Sequence, residues 1–596
     1  DTMVNASGNW WGSADAAGVA GKVVAGSVDY SPWLAVGTDT DGGALGFKGN
    51  FSKLWVGADS PQAGTVGGIQ EGVNLVATNG TVNVTAGTYA GPTLTKSVTL
   101  MGANAGVAGY ASRGVESVIS NSQITIGSLT DASVLVIDGF KFAGTGYTMK
   151  SGVLPLDAGI VFRNNLVDAK TAGDDAIQIY SANQRGDVSF TANKFADIGL
   201  SALVVQSVRS LTVTDNEFTN MVFNAVQLTG AESVNITSNL VDTTGHEAIK
   251  LGGPIGEGIC SFNTILNANR NGDSDDGGIR IRDPQLPYIV TIANNIISNS
   301  VNGVCVRDED SLAGTTILVT NNCLVGNSNA GIYNGGTGTL FAENNWFGSV
   351  TGPTSTLNAG GTGDAVKGDV DFSPWLGDGT DTQPEVIGFQ PNLTPVYYLP
   401  VGLKFTTSPA NTNLGATLST VTLQVTNEIG EIATQFTNEV TLAIGNNPGA
   451  GVLTGTLTKF CVAGEVSFTD LAVTLDGGTG FTLVASAAAP IAGATSAAFD
   501  IENPLPVLSA MTPIFTAADS GDQTLTLSGS GFVKSSVVKW GTNETILAST
   551  TVAADSITAT VPANLLTTAG TAAVTVFSPA AGGGTSSALT FTITPD

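Results

Sequence analysis

Histidine is almost absent from this chain: His246 is the only one in 596 residues. A multi-histidine metal centre is excluded, and any Ser-His-Asp triad would have to use that one imidazole. Basic residues are scarce too, 22 Lys and Arg against 49 Asp and Glu, giving a net charge of −27. Nucleic-acid affinity rests on neutralising phosphates with Lys and Arg, so this balance argues against nucleic acid and against an anionic membrane surface. Four cysteines cannot form a disulfide framework in so long a chain. They read as buried thiols, with a Cys305–Cys323 bridge as the alternative. No apolar run reaches the ~20 residues of a membrane-spanning helix, so no membrane insertion is expected. No phosphate-binding loop, dinucleotide fingerprint or CxxC pair occurs.

What is present suits β-structure. Hydrophobic residues make up 42% and charged residues 12%, with 76 glycines. Val, Thr, Ile and Phe fill candidate strands, and Gly, Asn, Asp and Ser punctuate them. The length implies two to four domains.

Internal repeats carry most of the information. Residues from Asn9 read NWWG, VDYSPWL, GTDT and GF. Residues from Asn345 read NWFG, VDFSPWL, GTDT and GF, so 1–57 repeat 341–399 with small insertions. A shorter phrase, V-x-I-x-x-N-x-F, places Asn165, Asn193, Asn216, Asn239, Asn263, Asn295, Asn322 and Asn345 at one position of successive repeats. A second phrase, a small residue and then apolar-x-apolar, follows each, as in Ala225-Val226-Gln227-Leu228 and Gly278-Ile279-Arg280-Ile281. Alternation within the phrases predicts strands, and two or three short strands per repeat predict the coils of a parallel β-helix. Coils then stack at ~4.8 Å, and the recurring Asn forms a ladder at one bend. Ile69, Val73 and Val76 have helical spacing and predict a cap helix before Val82-Asn83-Val84. Trp346, Phe347 and the tail to Trp375 are the expected C-terminal cap.

Residues 80–102, GTVNVTAGTYAGPTLTKSVTLMG, resemble the opening coils of pectin-methylesterase-type right-handed β-helices. The Asn coils and the NWFG…SPWL ending resemble repetitive bacterial surface proteins, including adhesins, of that fold. Residues 401–502 alternate as short strands and resemble immunoglobulin-like modules of such proteins. Residues 503–596 resemble the IPT/TIG family through TLTLSGSGFVKSSVVKWG, ITATVPANLL and AAVTVFSPAAGGGTSSALTFTI. Gly529 and Gly531 would permit a turn there, with Phe532 and Trp540 as core. The expected fold is all-β: a right-handed parallel β-helix followed by two immunoglobulin-like β-sandwiches. The expected division is 1–59, the tail of a preceding β-helix-type unit; 60–382, the β-helix and cap; 383–400, a linker; 401–502 and 503–596, the sandwiches. On this reading the chain is a mature or excised piece of a longer protein.

Three motifs bear on catalysis. Gly173-Asp174-Asp175, Gly245-His246-Glu247 and Arg280-Ile281-Arg282 resemble the GDD, GHG and RIK motifs of polygalacturonases, which share the fold. That chemistry needs two carboxylates about 5–9.5 Å apart across one glycosidic bond. Here two further coils intervene between GDD and GHE, setting Asp175 and His246 ~14 Å apart at strand spacing. The constellation is broken, and no enzyme activity is expected. A ligand patch is the alternative: His246, Glu247 and Lys250 lie one coil from Asp276, Arg280 and Arg282, a mixture suited to acidic polysaccharide. Asp273, Asp275, Asp276, Asp308 and Asp310 are the candidate Ca2+ ligands, since Ca2+ prefers oxygen, although neither loop has EF-hand spacing. Solvated turns are the plain alternative. The function expected is that of a secreted or cell-surface structural protein, a rod-like spacer or adhesin. The duplicated tail adds the expectation of head-to-tail self-assembly into filaments, and carbohydrate binding or cleavage is the alternative.

Overall fold

The computed structural model describes residues 3–596 apart from 24–26, 64–66, 130–131, 156, 171–172, 182–184 and 359. It comprises two compact units, Asp1–Ser355 with Gly361–Tyr397, and Thr356–Gly360 with Tyr398–Asp596.

The first unit is a parallel β-helix. Ile177–Tyr180 and Asp187–Thr191 both pair in register with Leu203–Thr214 of the next coil, and Lys194–Ile198 pairs with Glu217–Met221. Alternation decides what faces inward: Leu203, Val205, Leu211 and Val213 are buried while Val204 and Thr212 between them are not. Like residues therefore stack coil upon coil. Phe195 lies flat on Phe218, ring centroids 5.1 Å apart and 6° from parallel. Each such ring removed from water contributes roughly 1.5–3 kcal/mol.

The Asn ladder forms as the sequence predicts. Asn193 N–H and Nδ2 both donate to Asn216 Oδ1, at 3.0 and 2.9 Å, and Nδ2 also donates to Phe162 O at 2.8 Å. The same pattern runs through every rung to Asn345. The residue before each ladder Asn has positive φ, from Asn164 at 56° to Asn344 at 58°. That left-handed step makes the bend, and Asn and Asp tolerate it best among residues with side chains.

The helix Ile69–Leu75 buries Ile69 and Val73 over the first coil. A Cβ at Gly72 would meet Val56 and Val82 side chains at 2.8 and 2.9 Å, so only glycine allows this approach. The expected break at 59/60 is not a break. Lys53–Val56 pairs in parallel with Gly80–Val84, and Trp33–Leu34 pairs with Lys53–Val56 in antiparallel fashion. Residues 3–56 thus lead directly into this β-helix, because Leu54 and Val56 supply its first buried rung. The expected linker from 383 is also structured to Tyr397: Phe389 N–H donates to Asn294 O, and Val396–Tyr397 pairs with Trp375–Leu376.

The second unit holds two sandwiches with separate cores, antiparallel except where Thr412–Asn413 and Phe515–Ala517 pair in parallel with Phe499–Glu502 and Leu589–Thr594. One packs Val421, Leu423, Phe436, Phe468 and Phe499, and the other Leu525, Phe532, Trp540, Val574 and Phe591. Gly531 takes φ +73°, and a Cβ at Gly529 would strike Val507 O at 1.9 Å, which explains both glycines of the predicted turn.

Candidate functional site

The GHE and RIR motifs do meet, on neighbouring coils. Ile249–Ser261 pairs with Ile279–Ala293, setting Lys250 opposite Arg280 and Gly252 opposite Arg282. Arg280 leaves the outer face of its strand yet is buried, because the turn through Asp273–Asp276 lies over it. Its guanidinium bonds Asp276 Oδ1, Asp275 Oδ2 at 2.6 Å and Glu247 Oε1 at 3.4 Å. His246 Nδ1 sits 2.9 Å from Asp276 Oδ2 and 3.4 Å from Asp273 Oδ2. The imidazole packs on Phe223, ring centroids 4.0 Å apart.

The turn is anchored independently of these charges. Asn269 N–H donates to His246 O at 2.8 Å, and Asp273 N–H donates to Asn269 Oδ1 at 3.2 Å. Below it Cys305 is enclosed, its Sγ 3.4 Å from Asp275 O, and burial pushes its thiol well up. All four cysteines are free, so the Cys305–Cys323 bridge does not form; Cys305 and Cys323 lie in different strands, Asn302–Val306 and Cys323–Val325.

His246, Glu247, Asp273, Asp275, Asp276 and Arg280 therefore form one ion network. Lys250 and Arg282 stand apart from it, lining a shallow cavity of about 380 Å³ with Thr229, Asp283 and Gln285. Burial lowers the Lys250 pKa, opposed by Glu247. Asp308 accepts from Tyr333 Oη at 2.6 Å, and Asp310 accepts from Asp283 N–H at 2.7 Å. Asp310 is pushed up by burial. Neither joins the network.

His246, Asp273 and Asp276 offer ligand atoms close enough for one cation. Arg280 already takes up the charge of Asp275 and Asp276, in the place where a divalent ion would have to neutralise them. The group is therefore a poor Ca2+ cage. Glu247 and Asp276 are enclosed, so neither faces a sugar. Asp175 is three rungs away, through Ile177↔Leu203, Leu203↔Val226 and Val226↔Ile249, where it accepts from Ser201 N–H and Gln178 Nε2. Motif reading missed Phe223, Asn224 and Asn302. Asn224 Nδ2 donates to Glu247 O and Asn302 Nδ2 to Asp276 O, each from a neighbouring coil. Their place just before the small-apolar phrase was the available signal.

Comparison with known proteins bears on the fold. Residues 175–347 match the model of the right-handed β-helix region, and residues 506–593 match the IPT/TIG domain model. This is a right-handed parallel β-helix with C-terminal immunoglobulin-like domains. A comparison with curated proteins finds no match. Among solved structures, the chain is similar to domains 4–9 of the surface layer protein SbsC, with 10% identity and a TM-score of 0.14. That match covers 33% of this chain and 31% of the other, so the chain spans about a third of the SbsC structure. It is also similar to an ICAM-5 D1–D4 ectodomain fragment, at 13% identity and TM-score 0.19, covering 32% of this chain and 53% of that one. A chimeric titin Z1Z2-Z1Z2 tandem matches at 15% identity and TM-score 0.12, covering 33% of this chain and 99% of the other. No described helix is long and apolar enough to cross a membrane.

Proposed function

We propose that this chain is an extracellular structural protein in which the β-helix acts as a stiff spacer and the immunoglobulin-like domains as accessory modules at a surface. One observation carries the reading: the buried Asn ladder satisfies every rung from Asn165 to Asn345 by bonds to its neighbours, so the repeats are spent on continuity of the stack. The burial of Glu247 and Asp276 under their own turn supports it, since hydrolysis needs carboxylates that reach substrate. The acidic composition suits a soluble exterior.

The test is incubation with polygalacturonate and other acidic polysaccharides, followed by assay of new reducing ends. No release is expected. Release that disappears in His246→Ala would overturn the reading.

A second reading, polysaccharide binding, has one observation in its favour: Lys250 and Arg282 share an open cavity with Thr229 and Gln285. Titration with oligogalacturonate would show saturable binding lost in Arg282→Ala if this reading holds.

A further inference from the structure

The two copies of the SPWL module are alike in structure as well as in sequence. Val4–Asn5 pairs with Val28–Asp29 as Leu340–Phe341 pairs with Val370–Asp371. Trp33 and Leu34 face Trp55 and Leu54 as Trp375 and Leu376 face Tyr397 and Val396. Trp33 Nε1 donates to Ala14 O and Trp375 Nε1 to Val350 O, both at 3.2 Å. Asn9 Nδ2 donates to Ala6 O at 2.8 Å and Asn345 Nδ2 to Ala342 O at 2.7 Å.

They differ on one face. The second copy sits on the last coils of the β-helix: Asn345 Oδ1 accepts from Asn322, Trp346 N–H donates to Asn322 O, and Phe389 N–H donates to Asn294 O. Leu340, Asn345 and Phe389 are 0, 0 and 1% exposed. Their counterparts in the first copy face solvent, Val4 at 58%, Phe47 at 51%, and Asn9 among the exposed residues. A Cβ at Gly388 would strike Phe262 backbone at 2.4 Å, whereas nothing lies within 4 Å of the corresponding point at Gly46.

We propose that the face formed by Val4, Asn9 and Phe47 is a docking site for the end coil of an Asn-ladder β-helix. The occupant is specified by the second copy, which holds such a coil with Leu340, Asn345 and Phe389 at the positions matching Val4, Asn9 and Phe47. Asn9 supplies the next rung, taking two donors on Oδ1 as Asn345 does, and Phe47 enters beside the ladder bend as Phe389 does. A second copy of this chain is not the occupant, because its own β-helix end is already covered by residues 340–355 and 361–397. With Lys53–Val56 opening a new β-helix on its other side, the module is a two-sided coupler. The inference goes beyond the structural function proposed above, and polysaccharide cleavage would leave it standing.

The experiment is a tandem chain with residues 3–339 repeated ahead of Met3, compared with the unmodified chain by hydrogen exchange and urea denaturation. In the tandem, exchange at the inner copies of Trp10 and Phe47 slows at least about tenfold, as buried, bonded amides do. Phe47→Asp in the inner module weakens the tandem but leaves the unmodified chain's midpoint unchanged, whereas Phe389→Asp weakens both. Unchanged exchange in the tandem would overturn the proposal. So would an equal effect of Phe47→Asp in the unmodified chain, or a concentration-dependent dimer of that chain abolished by Phe47→Asp.

Discussion

Asn239 gives both of its donors to Asn263: its backbone N–H at 3.1 Å and its Nδ2 at 2.9 Å meet the same Oδ1. One side-chain oxygen thus closes two buried groups on the coil before it, while Asn263 passes its own donors on to Asn295.

Removing such a rung should be costly. Asn263→Leu strands the backbone N–H of Asn239, leaves Asn239 Nδ2 only Val213 O and Thr237 O, and takes Asn263 Nδ2 from Ile236 O and Asn295 Oδ1. At about 1–3 kcal/mol per buried group left unpaired, a loss of roughly 3–5 kcal/mol is expected. Urea denaturation should show it, and a fall below about 1 kcal/mol would mean water enters the ladder freely.

Arg280 should behave as a structural clamp. Arg280→Met leaves Glu247 and Asp276 enclosed without their shared cation, which costs about 3–5 kcal/mol when one partner of a buried ion pair is lost. Adding Asp276→Asn should recover part of that loss. Denaturation midpoints of the two single variants and the double variant measure the coupling, and simple additivity would show the residues are independent.

Lys170 points to a pH effect. It is enclosed, its Nζ finds no hydrogen-bond partner among the described residues, and burial lowers its pKa from 10.5 to about 8. The folded state therefore disfavours the charged form, so the unfolded chain binds more protons between those two values. Stability should rise as pH climbs from about 8 towards 10.5. Lys170→Met should remove that rise and stabilise the protein at neutral pH by on the order of 3 kcal/mol, at ~1.4 kcal/mol per pKa unit. Melting temperatures across the range, wild type against variant, check it.

The thiols should be silent. Cys260 is enclosed and pushed up to about 12, so little thiolate forms near neutrality. Iodoacetamide at pH 8 should label Cys260 and Cys305 only after denaturation, as mass spectrometry of the native and unfolded protein would show.

The ladder was legible in the sequence because its chemistry demands one residue type at one bend of every coil, and Asn is seldom repeated so regularly otherwise. The caps were legible for a related reason: Ile69 and Val73, or Trp346 and Phe347, break the strand rhythm where the stack ends. The pairing of Lys53–Val56 with Gly80–Val84 was not, since a short strand carries no mark of a partner beyond an intervening helix. Nor was the burial of Arg280. Alternation puts it outside, correctly, and only the turn folded over it, a contact with no period, takes it out of water. Lys250 and Arg282 share that outer face but lack such a cover, so three cations that looked alike in sequence separate into one clamp and one open pair.

Successive ladder residues are 28, 23, 23, 24, 32, 27 and 23 positions apart, yet their hydrogen bonds stay between 2.9 and 3.1 Å along the backbone donors. Length is held constant at one corner of the coil and left free at the others. An inserted loop is therefore felt by its own coil alone, and the exterior can be rewritten piece by piece, each change tried separately, while the register of all the remaining coils is inherited intact.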